Sequence, residues 1–183
     1  MAGRDAVVLV DEAGEPVGTM AKRAAHEAPG HLHLAFSVFL FREGGEVLLQ
    51  QRALSKYHFP GIWANACCSH PQPGEEIVSS AARRLTEELG MNSSPQLTDC
   101  GSFSYRALDE SSGLVERELD HVLSGEVTGD LVLAADPTEV AALRWAAIDE
   151  VSGLGAKEGF APWFAEGLEL ALGPRREVPE ALS

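Results

Sequence analysis

The sequence predicts an α+β fold in one domain, a mixed β-sheet sandwiched between α-helices. Three observations point there. The 183 residues suit one domain with a sizeable core. Strand-like runs dominate the middle of the chain and helical periods punctuate it. No internal repeat, low-complexity tract or linker divides it. We expect a single domain over residues 1–173 and a frayed tail over 174–183, where prolines and mixed charges gather.

The elements follow in order. Ala6 to Val10 is an apolar strand, and Asp11-Glu12-Ala13-Gly14 turns the chain. Lys22 to His26 is a short polar stretch before Pro29-Gly30. His31 to Phe41, rich in aromatic and aliphatic side chains, is the strongest strand signal. Glu43-Gly44-Gly45 returns the chain into Glu46 to Gln51, which predicts a hairpin. Residues 57–75 read as loop, broken by Pro60-Gly61, Pro71, Pro73 and Gly74. Glu76 to Leu89 reads as a helix, because Ile77, Ala81, Ala82, Leu85 and Leu89 recur at helical spacing and Gly90 sits where a C-terminal cap belongs. Cys100 to Leu108 and Leu114 to Val127 are strands joined by a turn at Asp109 to Gly113. Thr138 to Val140 opens a short turn, Leu143 to Ile148 is a strand, and Asp149 to Leu154 begins a helix. Pro162 to Leu172 is the last helix, with proline favourable in its first turn.

Composition excludes several classes. An apolar fraction of 45% with 23% charged residues is that of a folded protein rather than a disordered one. Fourteen basic residues against 28 acidic ones give a net charge of -14, which repels nucleic acid and anionic membrane. The apolar runs are too short for a secretory core or a bilayer span. We therefore expect a cytoplasmic protein with neither nucleic acid nor membrane as partner. Cys67, Cys68 and Cys100 do not make a disulfide framework.

Several constellations can carry chemistry. His31 and His33 lie two apart on a strand and share a face, a start for a metal site; any single histidine also reads as a surface residue. Glu116 and Glu118 share a strand face in the same way. They are either a solvated polar edge or paired ligands for a cation that relieves their repulsion. Cys67-Cys68-Ser69-His70 places thiols beside an imidazole. That arrangement favours thiolate or acid–base use of sulfur, and on spacing alone it reads equally as a metal half-site, a nucleophile or packing.

Ser69 to Met91 resembles the Nudix box, a loop–helix pattern that ends in Arg-Glu-x-x-Glu-Glu-x-Gly. Glu75, Arg83, Glu87, Glu88 and Gly90 fit it. Ser69 replaces its first glycine, and Arg84 replaces the acid that holds catalytic magnesium in the hydrolases. A guanidinium cannot bind a cation, so the scaffold is kept and the hydrolase chemistry weakened.

The wider sequence resembles the type 1 isopentenyl-diphosphate isomerases, a family built on the Nudix fold. The matching phrases are Lys22-Arg23-Ala24-Ala25-His26, Leu32 to Ser37, Arg52 to Lys56, Pro60-Gly61-x-Trp63-x-Asn65, Cys68-x-His70-Pro71, Glu88-Leu89-Gly90, Tyr105-Arg106-Ala107, Val115-Glu116-x-Glu118 and Phe160-x-Pro162-Trp163. They run in order from residue 22 to residue 163. The resemblance implies interconversion of isopentenyl and dimethylallyl diphosphate by a metal-assisted allylic proton shift, in isoprenoid precursor biosynthesis. It implies a monomer acting on a small-molecule diphosphate.

The resemblance also implies roles. His26, His33, His70, Glu116 and Glu118 are ligands of one divalent metal (manganese, zinc or magnesium). Cys68 and Glu118 are acid–base groups on opposite faces of the substrate, and the Tyr105 hydroxyl assists near Glu118. Trp163 forms the aromatic wall over a developing cation. Glu88 contacts a second ion, magnesium carried with the diphosphate. Lys22, Arg52, Lys56 and Arg84 bind the diphosphate. Cys67 falls at a small apolar position, and the sequence leaves open whether Glu118 or Cys68 is the first acid. Two other readings compete: a Nudix diphosphohydrolase, which Arg84 opposes, and a catalytically silent metal-binding Nudix domain, which Cys68, Tyr105 and Glu118 oppose.

Overall fold

A computed structural model describes residues 5–128 and 131–176. Its elements run β1 (Ala6–Val10), β2 (Pro16–Ala21), α1 (Lys22–His26), β3 (His33–Arg42), β4 (Glu46–Arg52), β5 (Trp63–Ala64), β6 (Cys67–Ser69), α2 (Ile77–Leu89), β7 (Leu97–Leu108), β8 (Val115–Val127), β9 (Val140–Ala147), α3 (Ile148–Glu158) and α4 (Phe164–Arg176). The strands form one mixed sheet, as an α+β fold requires.

β3 is the spine. It pairs in parallel with β8 from His33↔Glu118 to Arg42↔Val127, and antiparallel with β6 at Phe36↔Ser69, Ser37↔Cys68 and Val38↔Cys67. Side chains alternate along each strand. Phe36, Val38 and Leu40 therefore face one core, with Cys67, Ala81, Leu85 and Leu89. Phe39 and Phe41 face the other, with Phe103, Val122, Trp163 and Phe164. The sheet thus lies between α2 and the C-terminal helices.

α2 is amphipathic: Ala81, Leu85 and Leu89 are fully buried, while Arg83, Glu87 and their neighbours face outward. Burying each leucine contributes roughly 1.5–3 kcal/mol. Gly90 ends the helix at φ 65°, and its N–H reaches the Thr86 carbonyl at 3.0 Å. A Cβ there would lie 2.3 Å from the Ala134 carbonyl oxygen, so only glycine fits. Ala134 and Asp136 donate to the last carbonyls of α2, at 2.9 and 2.8 Å.

The structure corrects several expectations. Lys22–His26 is a helical turn, which places Lys22 and His26 on one face. β5 and β6 lie in the stretch read as loop, and β2 in a stretch given no element; all are short or lack an alternating pattern. β3 begins at His33, so His31 is outside the strand and exposed. The β3–β4 hairpin exists, but its ladder holds only Phe41↔Val47 and Arg42↔Glu46 before the strands part. β4 then pairs with β9, and β9 begins at Val140 rather than Leu143. β7 starts at Leu97, before a bulge between Asp99 and Ser102. Ile148 opens α3 instead of closing β9. Pro162 lies in the turn before α4, which runs through Arg176 into the expected tail. Residues 177–183 of that tail lie outside the described residues.

Candidate active site

Where β3 and β4 part, a cavity of about 450 Å³ opens. Its lining includes Lys22, Arg52, Lys56, Cys68, His70, Arg84, Glu88, Tyr105, Glu116, Glu118 and Trp163. His26 and His33 lie buried behind this wall.

Glu118 is the centre. Register places His33 beside it on β3 and Tyr105 beside it on β7. Its Oε1 is 2.9 Å from His70 Nε2, 3.4 Å from His33 Nε2 and 3.7 Å from His26 Nε2. His26 Nδ1 is 2.7 Å from the Lys22 carbonyl, and His33 Nδ1 is 2.7 Å from the His31 carbonyl. A carbonyl can only accept, so each Nδ1 carries the proton and each Nε2 presents a lone pair. Both Nε2 atoms are buried and make no hydrogen bond. Lone pairs of two imidazoles thus face a carboxylate oxygen, an arrangement that repels unless a cation, metal or proton, lies between. Imidazoles held by carbonyls at Nδ1 are the usual support of metal ligands. The four side chains bring ligand atoms within 4.8 Å of one another, and they fit a divalent ion.

Electrostatics agree. Burial works to raise the Glu118 pKa, but hydrogen bonds from His26, His33 and His70 hold the carboxyl well below its ordinary range, an effect that needs positive charge, a proton or a metal, between the facing nitrogens and the carboxylate. Burial disfavours charge on His26, yet Glu118 and the Lys22 carbonyl raise its pKa. His70 goes the other way: burial takes it well below the usual imidazole value. His33→Ala should leave purified protein with markedly less bound divalent metal by elemental analysis, since it removes one of the two inward lone pairs. Undiminished content would take His33 out of the site.

Glu116 sits differently. It falls in a second donor group with His26 and His58. Its Oε1 is 2.9 Å from His58 Nε2, and its Oε2 accepts from the Tyr105 hydroxyl at 2.9 Å. Tyr105 Oη also lies 2.6 Å from Glu118 Oε2, so its single proton can go to either carboxylate but to only one at a time.

Cys68 lies under Trp163. Its thiol donates to Asn65 Oδ1 at 3.0 Å, and Trp163 Nε1–H lies 3.1 Å from both that sulfur and the Asn65 oxygen. Burial, then the neighbouring Asp120 carboxyl, pushes the thiol well up. The expectation of a setting that favours thiolate is therefore corrected: burial here favours the neutral thiol. Cys67 points into the opposite core, where burial also raises it.

The four basic residues share the cavity wall. Burial, then Lys56, Arg52 and Arg84, lowers the Lys22 pKa, the mark of cations crowded together. Lys56 pairs with Glu139, and Arg84 with Glu87 at 2.6 Å, with Glu88, and with Glu139 at 3.5 Å. Arg52 gives two donors to loop carbonyls, Nε to Phe59 and Nη2 to His58. Glu88 is buried between Arg84 and Gln50 Nε2, the latter 3.3 Å away.

Sequence reasoning missed His58, Glu139, Asp109 and Asp120. Of these, Asp120 was the most legible: it continues the every-second-residue row of Glu116 and Glu118. It is buried, accepts from Ser37 Oγ at 2.7 Å, and is pushed up by burial and Glu118.

Comparison with known proteins identifies the family and the fold. A NUDIX domain model matches residues 31–168. An isopentenyl-diphosphate Delta-isomerase of Nocardia farcinica is 52% identical over 173 residues, 93% of this chain and 97% of that protein. One of Streptomyces coelicolor is 47% identical over 170 residues, 93% and 85% of the two chains. The crystal structure of a Deinococcus radiodurans protein superposes with a TM-score of 0.69 at 18% identity, covering 91% of this chain and 98% of that one. A MutT NUDIX hydrolase of Burkholderia pseudomallei gives 0.59 at 19% identity, with 76% and 97% covered, and both likenesses speak for the fold alone.

Proposed function

The chain belongs to the isopentenyl-diphosphate Delta-isomerases, a family built on the NUDIX domain, and from that premise we propose which of its groups carry the reaction. It interconverts isopentenyl and dimethylallyl diphosphate, a step that supplies isoprenoid precursors. The observation that carries the site assignment is one cavity in which the Glu118 carboxyl is ringed by imidazoles and the Cys68 thiol lies under an indole.

An unactivated alkene is a weak base, so its protonation needs a well-placed acid and a stabilised cation. Starting from the terminal alkene, Cys68 gives its proton to the terminal carbon, and Glu118 takes one from the carbon on the far side of the tertiary centre. The reverse direction exchanges the roles. Tyr105 holds its hydroxyl on Glu118 Oε2 and steadies the carboxylate in both forms. Trp163 and Tyr105, ring centroids 5.8 Å apart, present aromatic faces that stabilise positive charge. Burial of the pocket floor keeps water from trapping the cation as an alcohol.

His26, His33, His70, Glu116 and Glu118 would hold one divalent ion, manganese, zinc or magnesium. Bound there, it would supply electrophilic stabilisation of carboxylate charge. Glu88 contacts a magnesium that enters with the diphosphate, and Lys22, Arg52, Lys56 and Arg84 bind the phosphate oxygens. The substrate is a small diphosphate, and no helix among the described residues is long and apolar enough to cross a membrane.

Incubation with isopentenyl diphosphate tests the reading. An isomerase yields the allylic isomer. Phosphate release would make the chain a hydrolase, and no change would make it a silent domain. Arg84→Ala should raise KM through loss of a charge-assisted contact of roughly 1.5–3 kcal/mol, about 10- to 150-fold. Its kcat should fall less than that of Cys68→Ala, because the diphosphate is remote from the proton transfers. Unaltered KM and kcat would leave Arg84 a helix-surface residue bonded only to its neighbouring carboxylates Glu87, Glu88 and Glu139.

A further inference from the structure

We propose that His58 is a positioning residue of the metal centre: its Nε2–H fixes Glu116, the one proposed ligand that stands apart from the others. The inference rests on the reading of this site as metal-binding given above.

Glu116 does not join the tight group of His26, His33, His70 and Glu118. Its orientation is set from two sides, by His58 on Oε1 and Tyr105 on Oε2. The hydrogen on the His58 ring can be located. Nε2 lies 2.9 Å from a carboxylate oxygen and 3.4 Å from Arg52 Nη2, which also donates to the His58 carbonyl at 3.1 Å. The shorter contact needs a donor on the ring, so Nε2 carries hydrogen. Nδ1 is then buried with no hydrogen bond. Simple packing does not favour a buried imidazole with an orphaned nitrogen, because a bare acceptor loses its hydration with no partner in return. Contact with Glu116 gives the residue a reason to be there.

The loop is built around this side chain. Phe59, next to it, has φ 46°, a left-handed conformation in a bulky residue. Two anchors hold it. The Phe59 N–H donates to Asp109 Oδ2 at 2.9 Å, and its carbonyl accepts from Arg52 Nε at 3.0 Å. Asp109 is itself fixed by Ser111 and Ser112. Backbone strain of this kind persists where surroundings over-determine it, and here they deliver a buried imidazole to a carboxylate. Arg52 also lines the cavity, so one guanidinium supports both the substrate wall and the loop that carries His58.

The test compares full-length His58→Gln, His58→Asn and His58→Leu with His33→Ala. The readouts are zinc and manganese affinity by chelator competition, thermal melting, KM and kcat. Removing an outer support of a metal ligand costs roughly 10- to 100-fold in affinity. His58→Leu and His58→Asn should show that loss and a lower kcat at little-changed KM. His58→Gln, whose longer amide reaches where Nε2–H stood, should recover most of it. If the leucine variant fails to fold, the Gln and Asn pair still decides. Native affinity in His58→Asn would overturn the proposal and leave His58 as packing. Loss of metal as complete as in His33→Ala, unrescued by glutamine, would also overturn it, by making His58 a direct ligand. If His33→Ala itself keeps full metal, the metal-centre reading falls and this proposal with it.

Discussion

Cys68→Ala should lower kcat on the order of 10²- to 10⁴-fold, about 2.7–5.5 kcal/mol of transition-state stabilisation, while the protein stays folded. The fold should survive because the contacts around the sulfur are redundant. Trp163 Nε1–H keeps Asn65 Oδ1 at 3.1 Å when the sulfur is gone, and Asn65 keeps its own donations to the Val38 and Cys67 carbonyls at 3.0 and 2.9 Å. No buried donor loses its last partner. Cys67→Ala is the matched control. It removes a thiol one residue away that faces the opposite core, packed with Leu85 and Leu89, so turnover should stay near native. Steady-state kinetics with a melting curve read both. Active Cys68→Ala with dead Cys67→Ala would reverse the assignment of the two thiols.

Glu118→Gln should be at least as damaging, by about 10⁴-fold, because one side chain serves two purposes. The amide is almost the same size, so packing is kept. It has no charge to attract a cation and cannot take up a proton from the substrate. Its oxygen or its amino group would face the three Nε2 atoms that now converge on Oε1. Elemental analysis should find little bound metal, and added manganese should not restore turnover. Full metal content with activity within tenfold of native would remove Glu118 from both roles.

Much of this was legible in the chain because it was local. Ile77, Ala81, Leu85 and Leu89 announce α2, Gly90 its cap, and Glu116-x-Glu118 a shared strand face. The candidate site residues could be named because the phrases around them resemble a family; most of them line one cavity, with His26 and His33 buried beside it. What stayed hidden depended on pairings between distant segments. β6 has only Cys67–Ser69 to announce it and exists because β3 offers an edge. His58 gains meaning only when Glu116, far along the chain, lies 2.9 Å away. The state of Cys68 was misjudged from its neighbours in sequence, since burial outweighs them. Glu139, in the turn before β9, gains meaning only when Lys56 and Arg84 converge on it.

The crowded cations have a consequence for how substrate arrives. The chain as a whole carries -14, whereas Lys22, Arg52, Lys56 and Arg84 gather in one recess, with Glu87, Glu88 and Glu139 as partners of Lys56 and Arg84. A diphosphate diffusing in is repelled by the surface before it meets these cations. At physiological ionic strength that outer repulsion reaches only about 8 Å, and added salt shortens it further. Salt therefore speeds encounter while it loosens the contacts that retain the ligand. The ionic-strength profile of kcat/KM is the sum of two slopes of opposite sign, and a flat profile would mark their balance rather than an indifference to charge.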